Sequence, residues 1–271
     1  MFHLRPIDSL DLPELAPYRT MRRPAGHLGE RIFVAEGDKV VRRLLESDFP
    51  VVSALFIEKW VSEFETLLRG RPEDIPVFVT SKECMGEIVG FEMYQGALAA
   101  GRFPTPIPLE TLLERNPRPH LLVALEGLNN ADNLGVVIRN CAAFGVHALI
   151  LGETSSTPYM RRTVRNSMGT IFKQPIVEST DLVQTLKQLR HRGVRCLAAH
   201  GHAQQVTLSR CELIRDTCIV LGNEGLGLSP EVLAVCDERV SIPMANSVDS
   251  LNLANAAAVF LYEACRQRGL M

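Results

Sequence analysis

An α/β protein is predicted by one pattern and one interruption of it. Beyond residue 120 of this 271-residue chain, apolar runs such as "HLLVALEG" and "TCIVLGNE" take turns with amphipathic stretches such as "DLVQTLKQLRHRG". Runs that are apolar throughout are strands buried on both faces, so the expectation there is a mainly parallel sheet between helical layers. The first hundred residues show a shorter version of the same alternation. A proline-rich stretch divides the two, and a chain of this length with 46% hydrophobic residues can build two cores.

In order along the chain, "YRTMRRPAGHLGER" is an irregular basic cluster containing Arg19, Arg22 and Arg23. "RIFVAEGDKVVRRLLES" then gives a strand through Phe33 and Val34, followed by Val40, Val41, Leu44 and Leu45 at helical spacing. "VVSALFIE", "IPVFVTS" and "ALAAGRF" are predicted strands, and "VSEFETLLRG" a helix. "RFPTPIPLETLLERNPRPH" holds five prolines around one short helical segment, which predicts a linker. The expected domains are residues 1–110 and 120–271, with 111–119 between them.

The second domain runs strand "HLLVALEG", helix "NLGVVIRNCAAFG", strand "VHALILG", helix "DLVQTLKQLRHRG", strands "VRCLAAH", "TCIVLGNE" and "RVSIPM", and helix "LNLANAAAVFLYEACRQR". No apolar run approaches the roughly 18 residues that span a bilayer, and "MFHLRPIDSLDLPEL" lacks the layout of an export signal, so a cytoplasmic protein without a membrane partner is expected. The seven cysteines are scattered through apolar segments with no Cys-x-x-Cys pair, which predicts reduced thiols and no metal site. A formal net charge of −2 gives no global attraction for nucleic acid, so any such partner must be held by local basic patches.

Parallel sheets bind ligands in the loops that follow their strands, and three such loops here carry more than turns require. In "LEGLNNADNLGVVIRN", Asp132 or Asn133 is a candidate helix cap, a role worth about 1 kcal/mol. Arg139 lies six residues beyond Asn133 and is either a solvated surface cation or a fixed charge at a cleft. "VLGNEGLGLSPEV" has Gly222, Gly225 and Gly227 but neither dinucleotide nor P-loop spacing. Glu224 in that loop would repel a phosphate, so a ligand with a cationic centre or a hydroxyl donor fits better. In "IPMANSVDSLNLANAAAVF", Ser247, Asp249, Ser250, Asn252 and Asn255 crowd one helix entrance. Ser250 is a candidate N-cap, yet one cap does not call for the others.

Taken in order, "DNLGVVIRNCAAFGV", "VLGNEGLGLS" and "IPMANSVDSLNLANAAAVFLYEA" resemble the three motifs of the SpoU (TrmH-like) family of SPOUT RNA 2′-O-ribose methyltransferases, and "MRRTVRNSMGTIFKQPI" is similar to the segment between the first two. The resemblance covers about residues 120–268. It implies a trefoil-knotted α/β domain that forms a homodimer and binds S-adenosyl-L-methionine in the knot, an arrangement periodicity alone would never suggest. "FVAEGDKVVRRLL" and "MYQGALAAG" are similar to pieces of the family's smaller, ribosomal-protein-like α/β substrate-binding domain.

Carried over residue by residue, the resemblance makes Asn133, Arg139, Glu224, Ser250 and Asn252 the catalytic set. It puts Gly222, Gly225, Ile242, Met244, Leu251 and Leu253 around the cofactor. Asn140 and Asn255 depart from the family pattern, which is more often Thr and a small or apolar residue there. Arg139 is the family's candidate base, but a guanidinium is a poor base at neutral pH, so holding a phosphate or stabilising alkoxide charge suits it better. Glu224 either ties down its loop through backbone N–H groups or contacts substrate. Arg161, Arg162 and Arg165, with Arg19, Arg22 and Arg23, are candidate RNA phosphate contacts, the competing reading being a solvated face. The expected function is methyl transfer to a ribose 2′-hydroxyl, in ribosomal RNA before transfer RNA. A non-catalytic RNA-binding module of the same fold is the alternative.

Overall fold

The computed structural model describes residues 1–89, 96–201, 206–246 and 248–271. Ser247 and the first three residues of "MYQGALAAG" lie outside them. The chain forms two compact units, residues 1–105 with 157–173 and residues 106–156 with 174–271. The division therefore does not fall at one linker: the segment 157–173, grouped by sequence with the second domain, packs with the first.

The first unit holds strands β1 (Phe2–Pro6), β2 (Ile32–Glu36), β3 (Val51–Ile57), β4 (Ile75–Thr80) and β5 (Ala97–Arg102), and helices α1 (Ala16–Arg19), α2 (Pro24–Glu30), α3 (Asp38–Leu45), α4 (Glu58–Arg69) and α5 (Lys82–Val89). The sheet order is β1-β4-β3-β5-β2, with β5 antiparallel to both neighbours. Val40, Val41, Leu44 and Leu45 of α3 are buried, as their spacing predicts. All five residues of β2 are buried, because the segment 157–173 covers it. Tyr159 and Phe172 stack on Phe33 with ring centroids 6.0 and 5.5 Å away. Phe33 in turn lies over its cross-strand partner Gly101, where a Cβ would come within 2.5 Å of the ring. From the same segment, Arg161 begins a short helix, Arg161–Asn166 (α8 in chain order), and its guanidinium lies 2.7 Å from Glu36. Burial pulls the Arg161 pKa down and the Glu36 charge opposes that shift.

The second unit adds α6 (Leu109–Arg115), β6 (Leu121–Leu125), α7 (Ala131–Ala143), β7 (Ala148–Leu151), β8 (Ile176–Glu178), α9 (Leu182–His191), β9 (Arg195–Ala199), β10 (Val206–Thr207), β11 (Thr217–Leu221), α10 (Pro230–Val235), β12 (Glu238–Ser241) and α11 (Leu253–Gln267). Its seven-stranded sheet has the order β10-β12-β9-β11-β6-β7-β8, and every pairing is parallel. Leu122, Ala124, Cys218 and Val220 face a core completed by Leu182, Leu186 and Leu189 of α9 and Val232 and Val235 of α10. Residues of opposite parity, Leu121, Val123, Ile219 and Leu221, are buried too, as a sheet covered on both faces requires. On that second side α11 packs on α7 and reaches β11.

Three expectations change. The stretch 111–119 is not a bare linker, because Leu109, Leu112 and Leu113 of α6 are part of the second unit's core. The cap of α7 is neither Asp132 nor Asn133 but Asn130, whose Oδ1 accepts from the N–H groups of both, at 2.9 and 3.2 Å. The cap of α11 is Asn252, whose Oδ1 accepts from Ala254 N–H at 2.9 Å, and Ser250 stands outside the helix.

Leu112→Ala and Leu113→Ala are expected to lower stability by about 2–5 kcal/mol each in urea denaturation, the cost of a core cavity; a solvated linker would make both near neutral. Glu36→Gln and Arg161→Met should each destabilise toward the lower end of the ~3–5 kcal/mol range for breaking a buried pair. The double variant should recover part of that loss in the same measurement.

Candidate active site

The loop after β11 is built on one close approach. A Cβ at Gly222 would collide with the carbonyl carbon of Gly227, so the chain doubles back on itself there and nothing larger than glycine fits. Asn223 and Gly227 exchange both backbone hydrogen bonds, at 3.0 and 2.9 Å. The Asn223 side chain then fixes the tip: Oδ1 accepts from the N–H groups of Gly225 and Leu226, and Nδ2 donates to Gly127 in the loop after β6. Glu224 is thereby presented outward rather than spent on backbone N–H groups.

Glu224 meets the other two loops through asparagines. Since Asn252 Oδ1 is committed to the α11 cap, its Nδ2 is the group that donates, and it does so to Asn133 Oδ1 at 3.1 Å. Asn133 Nδ2 donates in turn to Glu224 Oε1 at 2.5 Å. The direction of the chain follows from the donor inventory, because a carboxylate only accepts and a helix-terminal N–H only donates. With Asn130 capping α7, the Asn133 side chain is free for this bridge. Two turns along α7, Asn140 Nδ2 donates to Ala254 C=O at 2.9 Å, a second grip on the first turn of α11.

Beside this junction lies a cavity of about 440 Å³, within the range of small-molecule sites. Its walls come from the ends of β9, β11 and β12 and the entrance of α11, the carboxyl edge of the parallel sheet. Gly222, Glu224, Gly225, Ile242, Met244, Ser250, Leu251 and Leu253, all singled out in the sequence, line it. Asn133 and Asn252 are tied to it through Glu224. Arg139 is exposed on α7, about a third of a turn around the helix from Asn133, and makes no hydrogen bond or ion pair among the described residues. Asn255 is also exposed, with no side-chain partner among them.

Sequence reasoning missed Asn223, His200 and Gly201, which also line the cavity, and gave no role to Asp249, which does so too. Asn223 stood in a quoted motif, but glycines drew the attention there; His200 and Gly201 follow β9 in a stretch without a recognisable pattern.

The six arginines proposed for RNA separate into different situations, all in the first unit. Arg161 is held against Glu36, with side-chain exposures of 15% and 7%, so it is not an exposed cation. Arg165 is 3.8 Å from the same carboxylate but remains exposed. Arg19 donates to Leu10 C=O and lies 3.7 Å from Asp11. Arg22, Arg23 and Arg162 are exposed.

Comparison with known proteins points to one family. Residues 120–262 match the model of the SpoU rRNA Methylase family. An uncharacterized tRNA/rRNA methyltransferase of Mycobacterium tuberculosis is 33% identical over 94% of this chain and 90% of its own length. The 23S rRNA (guanosine-2′-O-)-methyltransferase RlmB of Ralstonia nicotianae is 35% identical over 68% of this chain and 74% of its own. Among solved structures, the AdoMet-bound rRNA methyltransferase of Sinorhizobium meliloti superposes with a TM-score of 0.84 at 26% identity, covering 97% of this chain and 98% of that one. The SpoU methyltransferase AviRb of Streptomyces viridochromogenes, in complex with AdoMet, gives 0.82 at 25% identity over 95% and 98%. With the family match spanning more than half of its residues and falling on the domain that holds the three joined loops, the chain belongs to the SpoU rRNA methylase family.

Proposed function

We propose that this protein transfers a methyl group from S-adenosyl-L-methionine to a ribose 2′-hydroxyl in RNA, ribosomal RNA before transfer RNA. The observation that carries the reading is the junction of Glu224, Asn133 and Asn252 from three separate loops at the mouth of the cavity. A binding module has no need of it. The guanosine-2′-O specificity of the Ralstonia relative supports the choice of hydroxyl and of ribosomal RNA.

The cavity fits the cofactor chemically. Ile242, Met244, Leu251 and Leu253 offer apolar walls to a flat base, and Gly222 lets backbone polar groups approach its edge. When bound, S-adenosylmethionine supplies an electrophilic methyl group on a sulfonium. The protein must then hold the ribose oxygen in line with that methyl, a positioning effect worth up to roughly 7–11 kcal/mol in favourable cases. Asn133 and Asn252 each keep a second amide hydrogen, Asn133 Oδ1 keeps a second lone pair, and Ser250 brings a hydroxyl. These groups orient the 2′-hydroxyl so that its lone pair faces the methyl and its proton is directed away. Arg139 brings a guanidinium that stabilises the negative charge developing on the oxygen or holds the neighbouring phosphate.

The remaining parts of the reading follow the family. The second unit is the family's trefoil-knotted methyltransferase domain. The exposed stripe Asn255, Val259 and Tyr262 on α11, beside exposed Val136 on α7, is the homodimer face. The first unit is the ribosomal-protein-like substrate-binding domain, with Arg22, Arg23, Arg162 and Arg165 contacting phosphates. Action on RNA is the ground for placing the protein in the cytoplasm; separately, no helix among the described residues is long and apolar enough to cross a membrane.

Calorimetry with S-adenosylmethionine is the first test, and absence of binding would sink the methyltransferase reading. Gly222→Ala should abolish that binding by forcing the loop open. Arg139→Lys should leave cofactor affinity intact and cut turnover by about 10²-fold, the scale of losing one electrostatic stabiliser; near-normal turnover would exclude a guanidinium-specific role. Ribose methylation mapped in total RNA with and without the gene identifies the acceptor, and a transfer RNA site would overturn the ribosomal assignment. Replacing Arg22, Arg23, Arg162 and Arg165 by Gln should flatten the salt dependence of RNA affinity by close to one unit of slope for each phosphate no longer neutralised.

A further inference from the structure

Among the described residues lining the cavity, the ionisable side chains are His200, Glu224 and Asp249, and none is Lys or Arg. Among the described residues, Glu224 receives only a neutral amide hydrogen, from Asn133. Asp249 has no side-chain hydrogen bond or ion pair among the described residues. Its backbone is close against the loop after β9, where a Cβ at Gly201 would lie 3.3 Å from Asp249 C=O. Two exposed acidic residues, Glu224 and Asp249, thus stand at the rim of one cavity whose described walls hold no Lys or Arg to neutralise them. Such a rim disfavours anions and stabilises a positive centre, by Coulomb attraction that solvent weakens but does not remove.

We infer that Asp249, acting with Glu224, makes this cavity select by charge the sulfonium form of the cofactor over the demethylated product. The inference rests on the cofactor reading above and adds a specificity residue to it. In methyl transfer the carbon–sulfur bond breaks with its electron pair left on sulfur, a carbon–oxygen bond forms, and the hydroxyl proton passes to solvent. The sulfur thereby goes from one positive charge to none. The two ends of the methionyl group, ammonium and carboxylate, are the same before and after, so the sulfonium charge is what the rim can sense. The reaction itself therefore removes the attraction, and S-adenosylhomocysteine leaves a site that favours its replacement.

The test is calorimetry of the full chain with S-adenosylmethionine, S-adenosylhomocysteine and sinefungin, which carries an amine cation where the sulfonium stood. The wild-type protein should bind both cations about tenfold more tightly than S-adenosylhomocysteine, on the scale of an exposed charge pair. Asp249→Asn should shrink that ratio roughly fivefold without changing the affinity for S-adenosylhomocysteine. Asp249→Glu should retain it, and added salt should narrow it. An unchanged ratio in Asp249→Asn would overturn the inference, as would equal weakening of all three ligands, which would mean that Asp249 holds the common ammonium. Equal wild-type affinities would overturn it while leaving the cofactor reading standing, whereas binding of none would remove the cofactor reading itself.

Discussion

Asn133 is the side chain at which three distant parts of the sequence become one site. Its amide takes a hydrogen from Asn252 and gives one to Glu224, so segments 91 and 119 residues away are bound to opposite ends of a single planar group. Each bond at such a surface position contributes only about 0.5–1.5 kcal/mol, somewhat more for the one to the carboxylate. Their value is directional. Because Asn252 is also the cap of α11, the entry point of the last helix is referenced to the same group as the glycine loop, and Asn140 adds a second reference two turns along α7.

The glycine loop can serve as a fixed wall because its own geometry is settled elsewhere. Gly222 permits the backbone to touch itself, and Asn223 absorbs the N–H groups that a loop of this shape leaves pointing inward. Glu224 sits in that turn without its side chain being spent on it, and its charge remains available to the cavity. The same division of labour recurs at α7, where Asn130 does the capping and leaves Asn133 for the junction.

The parallel sheet was legible because its strands are apolar throughout, and the site loops because strand ends are where such sheets bind. Motif resemblance named part of the cavity wall in advance, the residues from the glycine loop and the entrance of α11. What escaped were assignments among neighbours of like chemistry: Asn130 against Asp132 and Asn133, or Asn252 against Ser250, differ by two or three residues in where the helix begins. Sequence cannot resolve that, since all of these types cap helices well. Arg161 was grouped with RNA contacts because a run of arginines carries no record of a buried glutamate 125 positions earlier. The proline-rich stretch concealed the docking of α6 for the opposite reason, as its flanking prolines outweighed three leucines at helical spacing.

The covering of β2 by residues 157–173 also bears on the order in which the chain matures. During synthesis Phe33, Phe103 and the Glu36 carboxylate emerge long before Tyr159, Arg161 and Phe172, with β6, α7 and β7 made in between. The first unit therefore cannot finish before the second has begun, and a fragment ending near residue 105 would present an open aromatic face and an unpaired acid. The two units are separate bodies by packing, yet by biosynthesis they are interleaved.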